Sequence, residues 1–171
     1  IMDKKSDALI RARIQKYFPE DDIYSEEAED IDRGRARKWV FDPLDGTIPY
    51  TTHQNDNWSV AISLVEDKAP VLGVVYMPQR KELYTGAIEE GASCNGFPIR
   101  VSDVQEMNKV MMGLDGGKIV KDWFKRSSLS GLRDKLEDDA GVTIVFGTGC
   151  ASVPLCQVAS GMRDGRLSTV G

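Results

Sequence analysis

The chain has 171 residues, 41% hydrophobic and 29% charged, which suffices for one sizeable core and is short for two. Its formal net charge is −5, and its basic residues are scattered among acidic ones, so we expect no nucleic-acid polymer as a partner. No apolar run approaches the roughly 18 residues of a membrane span, and the N-terminus lacks the apolar core of a signal peptide. We therefore expect a cytoplasmic chain without a membrane partner.

Three cysteines and one histidine limit the possible chemistry. Cys94, Cys150 and Cys156 are odd in number and form no CxxC motif, which predicts reduced, packed thiols instead of disulfides or a zinc ribbon. A Ser-His-Asp triad would have to use His53, and a multi-histidine metal site is impossible. We therefore expect any bound metal to be a hard cation with oxygen ligands.

The first part of the sequence predicts a helix and two strands. Apolar residues recur at helical spacing over 7–18 with basic residues between them, which predicts an amphipathic helix. A turn and a short extended segment over 20–24 follow, and then a charged loop. Trp39–Phe41 is compact and apolar, and it predicts a buried strand that ends at Asp42 because a proline comes next.

The middle of the sequence predicts an antiparallel sheet. Large and small residues alternate over 58–64, as in a half-buried strand, and a charged turn leads into an apolar strand over 71–77. A strand over 82–85 continues this meander. Glycine and proline turns then precede an extended segment over 99–101.

The pattern changes beyond residue 110, and we divide the chain there into residues 1–110 and 111–171. A small-residue loop over 147–152 precedes the second of two helical patterns. The predicted elements are a helix over 120–136, a strand over 142–146, a helix over 153–160 and an extended end over 166–170.

The run from Asp42 to Thr47 carries the most chemical information, because it lies where a buried strand reaches the surface. Gly46 permits a tight turn, so that Asp42 and Asp45 can converge with the Leu44 carbonyl between them. Such oxygens are the ligands that Mg²⁺ prefers. A helical turn at Gly46-Thr47 would direct N–H groups at a phosphate, and the threonine hydroxyl could hold a water. The alternative is an ordinary Asx-type turn.

A second acidic pair, Glu26-Glu27, follows the predicted extended segment, which could run beside the strand that begins at Trp39. Adjacent glutamates usually form a solvated face. Metal-assisted phosphomonoester hydrolysis, however, needs carboxylates that bridge and separate cations and that help to activate a water. Glu26, Asp42 and Asp45 together would nearly meet that need.

The run Trp39–Thr47 resembles the signature of the inositol monophosphatase family, a magnesium-dependent, lithium-sensitive phosphatase superfamily that includes bisphosphate nucleotidases and fructose-bisphosphatases. Four other segments resemble family elements in the same order along the chain. They are Lys5–Asp7, Ser25–Glu27, Trp58–Pro78, and Gly149–Gly161 with Asp164-Gly165. The resemblance implies an α/β (α+β) fold, a layered α/β/α sandwich of the inositol monophosphatase and fructose-bisphosphatase type.

The resemblance also implies a set of metal ligands. Glu26, Asp42 and the Leu44 carbonyl would bind one Mg²⁺, and Asp42 and Asp45 would bind a second. Glu26 would also reach a third ion. The first half, residues 1–110, would thus be the metal-binding half.

The same resemblance implies catalytic roles for Glu26 and Thr47, which would orient a water for in-line attack on phosphorus. Gly46 and Thr47 would contact the phosphate, and residues near the later helix would line the pocket for the alcohol. The implied substrate-binding and supporting residues are Gly46, Thr47, Gly149, Ala151 and Asp7.

Three differences from the family pattern stand out. Ile48–Tyr50 follows the signature where inositol-type members commonly carry Asn-Phe, so the substrate stays open. The later Trp-Asp element, whose aspartate completes the second metal site, does not follow Asp164-Gly165. The start of the chain also resembles the family some way into its sequence. We therefore expect a chain that is truncated at both ends.

These observations give a functional hypothesis with alternatives. The main one is Mg²⁺-dependent hydrolysis of a small phosphomonoester, as in inositol monophosphatases, by a homodimer with two or three ions per site. The alternative substrates are a 3′(2′),5′-bisphosphate nucleotide and fructose 1,6-bisphosphate. The alternative from another class is a non-catalytic fragment or degenerate homologue.

Overall fold

The computed structural model describes residues 2–52, 56–115, 131, 133–147 and 149–168. His53 and most of the predicted helix over 120–136 lie outside the described residues, as do the last positions of the predicted extended end. None of the described helices is long and apolar enough to cross a membrane.

A seven-stranded sheet forms the centre of the first part of the chain. Helix α1 (Met2–Tyr17) precedes it, and a short helix, α2 (Thr47–Thr52), follows its second strand. Strand β1 pairs in parallel with β2, and β2 to β7 pair antiparallel in chain order, which confirms the predicted meander. The strands are β1 (Asp22–Ser25), β2 (Arg37–Asp45), β3 (Ser59–Glu66), β4 (Ala69–Met77), β5 (Glu82–Ala87), β6 (Gly91–Cys94) and β7 (Phe97–Pro98).

Two predicted strand boundaries in this sheet were wrong. Strand β2 does not end at Asp42 but continues through Pro43 to Asp45. Its register against β3 shifts between Asp42 and Asp45, and this bulge accommodates a residue that cannot donate to the ladder. The last strand of the sheet is Phe97–Pro98 and not the segment over 99–101.

A smaller, three-stranded parallel sheet lies in the second part of the chain, with strand order β10-β8-β9. Helix α3 (Ser152–Ala159) connects two of its strands, and the predicted strand over 142–146 and helix over 153–160 are confirmed to within one residue. The strands are β8 (Met111–Asp115), β9 (Thr143–Phe146) and β10 (Gly165–Ser168). A 3₁₀ turn, Met107–Lys109, and a π-helical turn, Lys135–Asp139, complete the described elements.

Helices α1 and α3 cover opposite faces of the large sheet. Phe41 and Ile62, which are partners across β2 and β3, pack in the core with Ile14 of α1. Val75 packs in a second core with Val153 of α3. Val75 pairs with Ala61, which pairs with Asp42, so these side chains point to the same face of the sheet. Phe41 is the neighbour of Asp42 on β2 and therefore points to the other face, so the two cores lie on opposite sides of the sheet. This is the layered α/β arrangement that the resemblance implied.

The core beneath α3 contains all three cysteines. Cys150 and Cys156 are buried, Cys94 is half-buried beside them, and all three are free thiols, as predicted. Met77 and Tyr84 of the large sheet complete this core. The packing brings the loop before α3 against the end of β2, where the candidate site lies.

Candidate active site

The parallel pairing of β1 and β2 brings the two acidic segments together. Ser25, the last residue of β1, lies opposite Phe41, so Glu26, which follows β1, comes beside Asp42 of β2. A side-chain hydrogen bond joins these two residues. The acidic pair that looked like a solvated face in the sequence thus contributes Glu26 to the same point as the Asp42–Thr47 turn.

The environment of Asp42 favours its protonated form. Burial is the main reason why the pKa of this carboxyl rises from 3.8 to about 7, and the negative charges of Asp45 and Glu26 raise it further. The hydrogen bond from the Leu44 N–H, at 2.9 Å, acts in the opposite direction and lowers the pKa. A bound cation would compensate the same charges. The shared hydrogen bond between Asp42 and Glu26 therefore marks the place where a cation could replace a proton.

The donors at this point fit a hard cation that keeps several waters. They are carboxylate oxygens and the Leu44 carbonyl, which also accepts a 3.4 Å hydrogen bond from the Thr47 hydroxyl. Across the residues that the structure describes, no three His, Cys, Asp or Glu side chains lie close enough together to hold a metal ion. Waters or further ligands would have to complete the coordination.

Asp45 is directed at the start of α3. Its carboxylate accepts hydrogen bonds from the backbone N–H of Ala151, at 3.0 Å, and of Ser152, at 2.6 Å. The Ser152 hydroxyl, at 2.5 Å, and the Cys150 thiol, at 3.2 Å, also donate to it. This arrangement places a negative charge at the positive end of the α3 dipole and joins residues more than 100 positions apart.

Gly46 makes the turn from β2 into α2 possible. Its φ is +92°, and a Cβ at this position would lie 2.7 Å from the carbonyl oxygen of Asn57. Its own carbonyl accepts the hydrogen bond from the Tyr50 N–H, at 3.0 Å, and Thr47 is the exposed first residue of α2. The glycine thus permits the close backbone approach that the turn needs.

Asp7 supports the acidic segment from behind. It is buried in α1 and accepts hydrogen bonds from Arg11 Nε, at 2.9 Å, and from the Ser25 hydroxyl. Ser25 directly precedes Glu26, so Asp7 fixes the end of β1 from which Glu26 projects. Asp7, the supporting residue implied by the resemblance, therefore contacts Ser25, and Ser25 connects it to the acidic cluster.

A cavity of about 620 Å³ opens beside the acidic cluster. Glu26, Asp42 and Ser152 line it, together with Leu155 of α3, Val40 and other residues of the sheet. The remaining residues expected to contact substrate do not line this cavity. They are Gly46, Thr47, Gly149 and Ala151, which lie at the turns that precede α2 and α3 or at the first residue of α2.

Sequence reasoning missed two residues of this site. Ser152 donates to Asp45, and the buried Ser59 of β3 hydrogen-bonds to Ser152, with 2.5 Å between the two hydroxyl oxygens. The small-residue loop before α3 was the available signal, because a helix N-terminus favours a neighbouring carboxylate. Nothing local to Ser59 indicated its partner.

Comparison with known proteins identifies the family. The inositol monophosphatase family model matches residues 1–169. The fructose-1,6-bisphosphatase/inositol-1-monophosphatase of Aquifex aeolicus (strain VF5) is 32% identical over 170 residues, which cover 97% of this chain and 61% of that protein. The putative Nus factor SuhB of Neisseria meningitidis serogroup B is 30% identical over 165 residues, which cover 96% of this chain and 61% of that protein.

Solved structures give the same result. The inositol monophosphatase from Anabaena (Nostoc) sp. PCC 7120 aligns with a TM-score of 0.85 and 30% identity, over 97% of this chain and 64% of that one. The chain thus spans about three-fifths of the length of these relatives. On the match of nearly all its residues and of its fold, the chain belongs to the inositol monophosphatase family.

Proposed function

We propose that the chain carries the acidic centre of a Mg²⁺-dependent phosphomonoesterase. The observation that supports this most is the hydrogen-bonded pair of Glu26 and Asp42, where burial and neighbouring charge raise the pKa of Asp42 to about 7. A solvated turn would not crowd carboxylates in this way. Membership of the inositol monophosphatase family supports the same reaction class.

In this proposal, Glu26, Asp42 and the Leu44 carbonyl would hold one ion, Asp42 and Asp45 would hold a second, and Glu26 would reach a third. Bound Mg²⁺ would neutralise phosphate charge and make water a better nucleophile. The grouping of Asp42 with Glu26 and the free carboxylate capacity of Asp45 support this assignment.

The remaining residues orient the reacting groups. Glu26 and Thr47 hold the attacking water, whose oxygen forms a bond to phosphorus while the bond from phosphorus to the alcohol oxygen breaks. Glu26 accepts one proton of that water, and the departing alkoxide takes up a proton from solvent. Gly46 and Thr47 contact the phosphate from the start of α2, and the loop that contains Gly149 and Ala151 borders the alcohol.

Several finer properties belong to the same proposal. We take inositol monophosphate as the leading substrate, with a 3′(2′),5′-bisphosphate nucleotide and fructose 1,6-bisphosphate as alternatives. Lithium inhibition, a homodimer and a cytoplasmic location are further parts of it. So is the division of the chain into a metal-binding half, residues 1–110, and the start of a second half, residues 111–171.

The test is release of inorganic phosphate from inositol 1-phosphate, 3′-phosphoadenosine 5′-phosphate and fructose 1,6-bisphosphate, with and without Mg²⁺. We expect Mg²⁺-dependent release from one of them and a large loss in Asp45→Asn. Asp67→Asn is a matched control, because this exposed aspartate lies in the β3–β4 turn, away from the cluster. Unchanged activity of Asp45→Asn would contradict the metal assignment. No release by a folded chain would favour the non-catalytic alternative.

A further inference from the structure

A short relay of hydrogen bonds reaches Asp45 from the interior of the fold. Ser59 of β3 is fully buried, with 0% of its surface exposed, and its hydroxyl oxygen lies 2.5 Å from that of Ser152. The Ser152 hydroxyl donates to Asp45 Oδ2 at 2.5 Å. Because Ser152 has a single hydroxyl proton, which it gives to the carboxylate, Ser59 is the donor in the bond between the two serines.

The two oxygens of Asp45 have unequal partners. Oδ2 accepts from the Ser152 N–H and hydroxyl and the Cys150 thiol, and it shares the Ala151 N–H. Among the residues that the structure describes, Oδ1 has only its share of the Ala151 N–H, at 3.0 Å. The lone pairs of Oδ2 are thus occupied, whereas Oδ1 can accept further partners.

Ser152 is not serving as an ordinary helix cap. In that role, a serine hydroxyl accepts a hydrogen bond from a backbone N–H of the first turn. The residue at the N-cap of α3 is Ala151, which makes no side-chain cap, and the Ser152 hydroxyl donates outward to Asp45. A role in helix formation therefore does not account for this hydroxyl.

We propose that Ser152, supported by Ser59, is a positioning residue that fixes the rotation of the Asp45 carboxylate and presents Oδ1 to the cation. This inference rests on the proposed function, in which Asp45 is a metal ligand. An aspartate side chain can rotate and exchange its oxygens. The Ser152 hydroxyl, which belongs to the first turn of α3 and is itself held by a buried donor, selects one orientation.

The relay predicts a definite order of effects on Mg²⁺ binding. Ser152→Ala removes the hydroxyl donor to Oδ2, and we expect the Mg²⁺ dissociation constant to rise about tenfold. Ser152→Thr keeps the hydroxyl and should remain close to the wild-type value. Ser59→Ala should cause a smaller rise, of roughly threefold, and no further rise when Ser152 is already alanine, because Ser59 acts only through Ser152.

The experiment is calorimetric titration of the full chain with Mg²⁺ in the absence of substrate, with the unfolding temperature of each variant as a check on folding. Ser160→Ala is the matched control, because Ser160 ends the same helix and its hydroxyl hydrogen-bonds to Gln157 O and to the Tyr84 side chain, and not to Asp45. We expect Ser160→Ala to bind Mg²⁺ like the wild type. A general loosening of α3 would instead weaken Mg²⁺ binding in Ser152→Ala and in Ser160→Ala alike.

Wild-type Mg²⁺ affinity in Ser152→Ala, or additive effects of Ser59→Ala and Ser152→Ala, would overturn the positioning role. Absence of Mg²⁺ binding by the wild-type chain would overturn it as well. If the variants show the expected order of Mg²⁺ dissociation constants but the chain releases no phosphate, the positioning role is supported and only the proposed activity is contradicted. The titration therefore separates the two proposals.

Discussion

Replacing Gly46 by alanine tests whether the turn at the candidate site depends on a close backbone approach. Gly46 has a φ of +92°, and an added Cβ would lie 2.7 Å from the carbonyl oxygen of Asn57. It would also lie 3.1 Å from the Cα of Trp58 and from the Cβ of Cys150. Two of these three contacts are with backbone atoms, which cannot move aside as a side chain can.

The expected cost has two parts. A positive φ costs an L-residue roughly 1–2 kcal/mol. Overpacking against fixed neighbours adds about 1–3 kcal/mol, so Gly46→Ala should lower the free energy of unfolding by about 2–5 kcal/mol. Gly34 is the matched control, because its φ is +71° and a Cβ there would meet no atom within 4 Å. Gly34→Ala should therefore show only the first part, about 1–2 kcal/mol.

The assay is equilibrium urea unfolding of both variants, together with Mg²⁺ titration of each. We expect Gly46→Ala to be the less stable variant and to bind Mg²⁺ more weakly, because the strain lies between Asp45 and α2. Equal destabilisation by the two substitutions would refute the reasoning. It would mean that the positive φ, and not the approach to Asn57 and Trp58, is what requires glycine at position 46.

Three further predictions concern single side chains. The pKa of Asp42 is about 7 in the folded chain against 3.8 in the unfolded chain, so this group should lower the stability of the metal-free chain as pH rises from 3.8 to 7. For the same reason Mg²⁺ binding should tighten from pH 6 to pH 8, and a Mg²⁺ affinity that calorimetry finds independent of pH would contradict this. Asp22 is fully buried and accepts hydrogen bonds from two backbone N–H groups of the following loop, at 2.9 and 2.7 Å. Asp22→Ala should therefore lower the free energy of unfolding in urea by about 2–5 kcal/mol, and an unchanged free energy would refute that role. Burial raises the pKa of the Cys150 thiol to about 12, so iodoacetamide at pH 8 should modify the half-buried Cys94 before Cys150. Mass spectrometry measures this order, and modification of Cys150 before Cys94 would contradict the packing.

The local features of the site could be predicted from sequence. The turn at Asp42–Thr47 combines residues whose backbone preferences act within a few positions, and the helical turn that was one of the two alternatives there is present as α2, which begins at Thr47. The end of β2 could not be predicted in the same way. Pro43 argues locally for a strand end, but pairing with β3 resumes at Asp45 after a register shift, and that pairing depends on a strand further along the chain.

The long-range features of the site required the structure. The hydrogen bonds of Asp45 to Ala151 and Ser152 exist because α3 packs on the sheet through Val153 and Met77, and no local pattern states where a helix will dock. The approach of Glu26 to Asp42 could be predicted only as an expectation that β1 runs beside β2. Its register, with Ser25 opposite Phe41, came from the structure.

The carboxylates of the candidate site are held from opposite faces of one sheet. On one face, Asp7 of α1 holds Ser25 and thereby the segment that presents Glu26. On the other, Ser152 of α3 holds Asp45. Asp42 lies between them on the bulged end of β2, and its pKa is raised first by burial and then by the negative charges of the Asp45 and Glu26 that the two anchors hold in place. Because α1 and α3, which carry these anchors, pack in different cores, loosening one helix should displace one carboxylate and leave the other fixed. The acidic cluster therefore requires both layers of helices and not the signature turn alone.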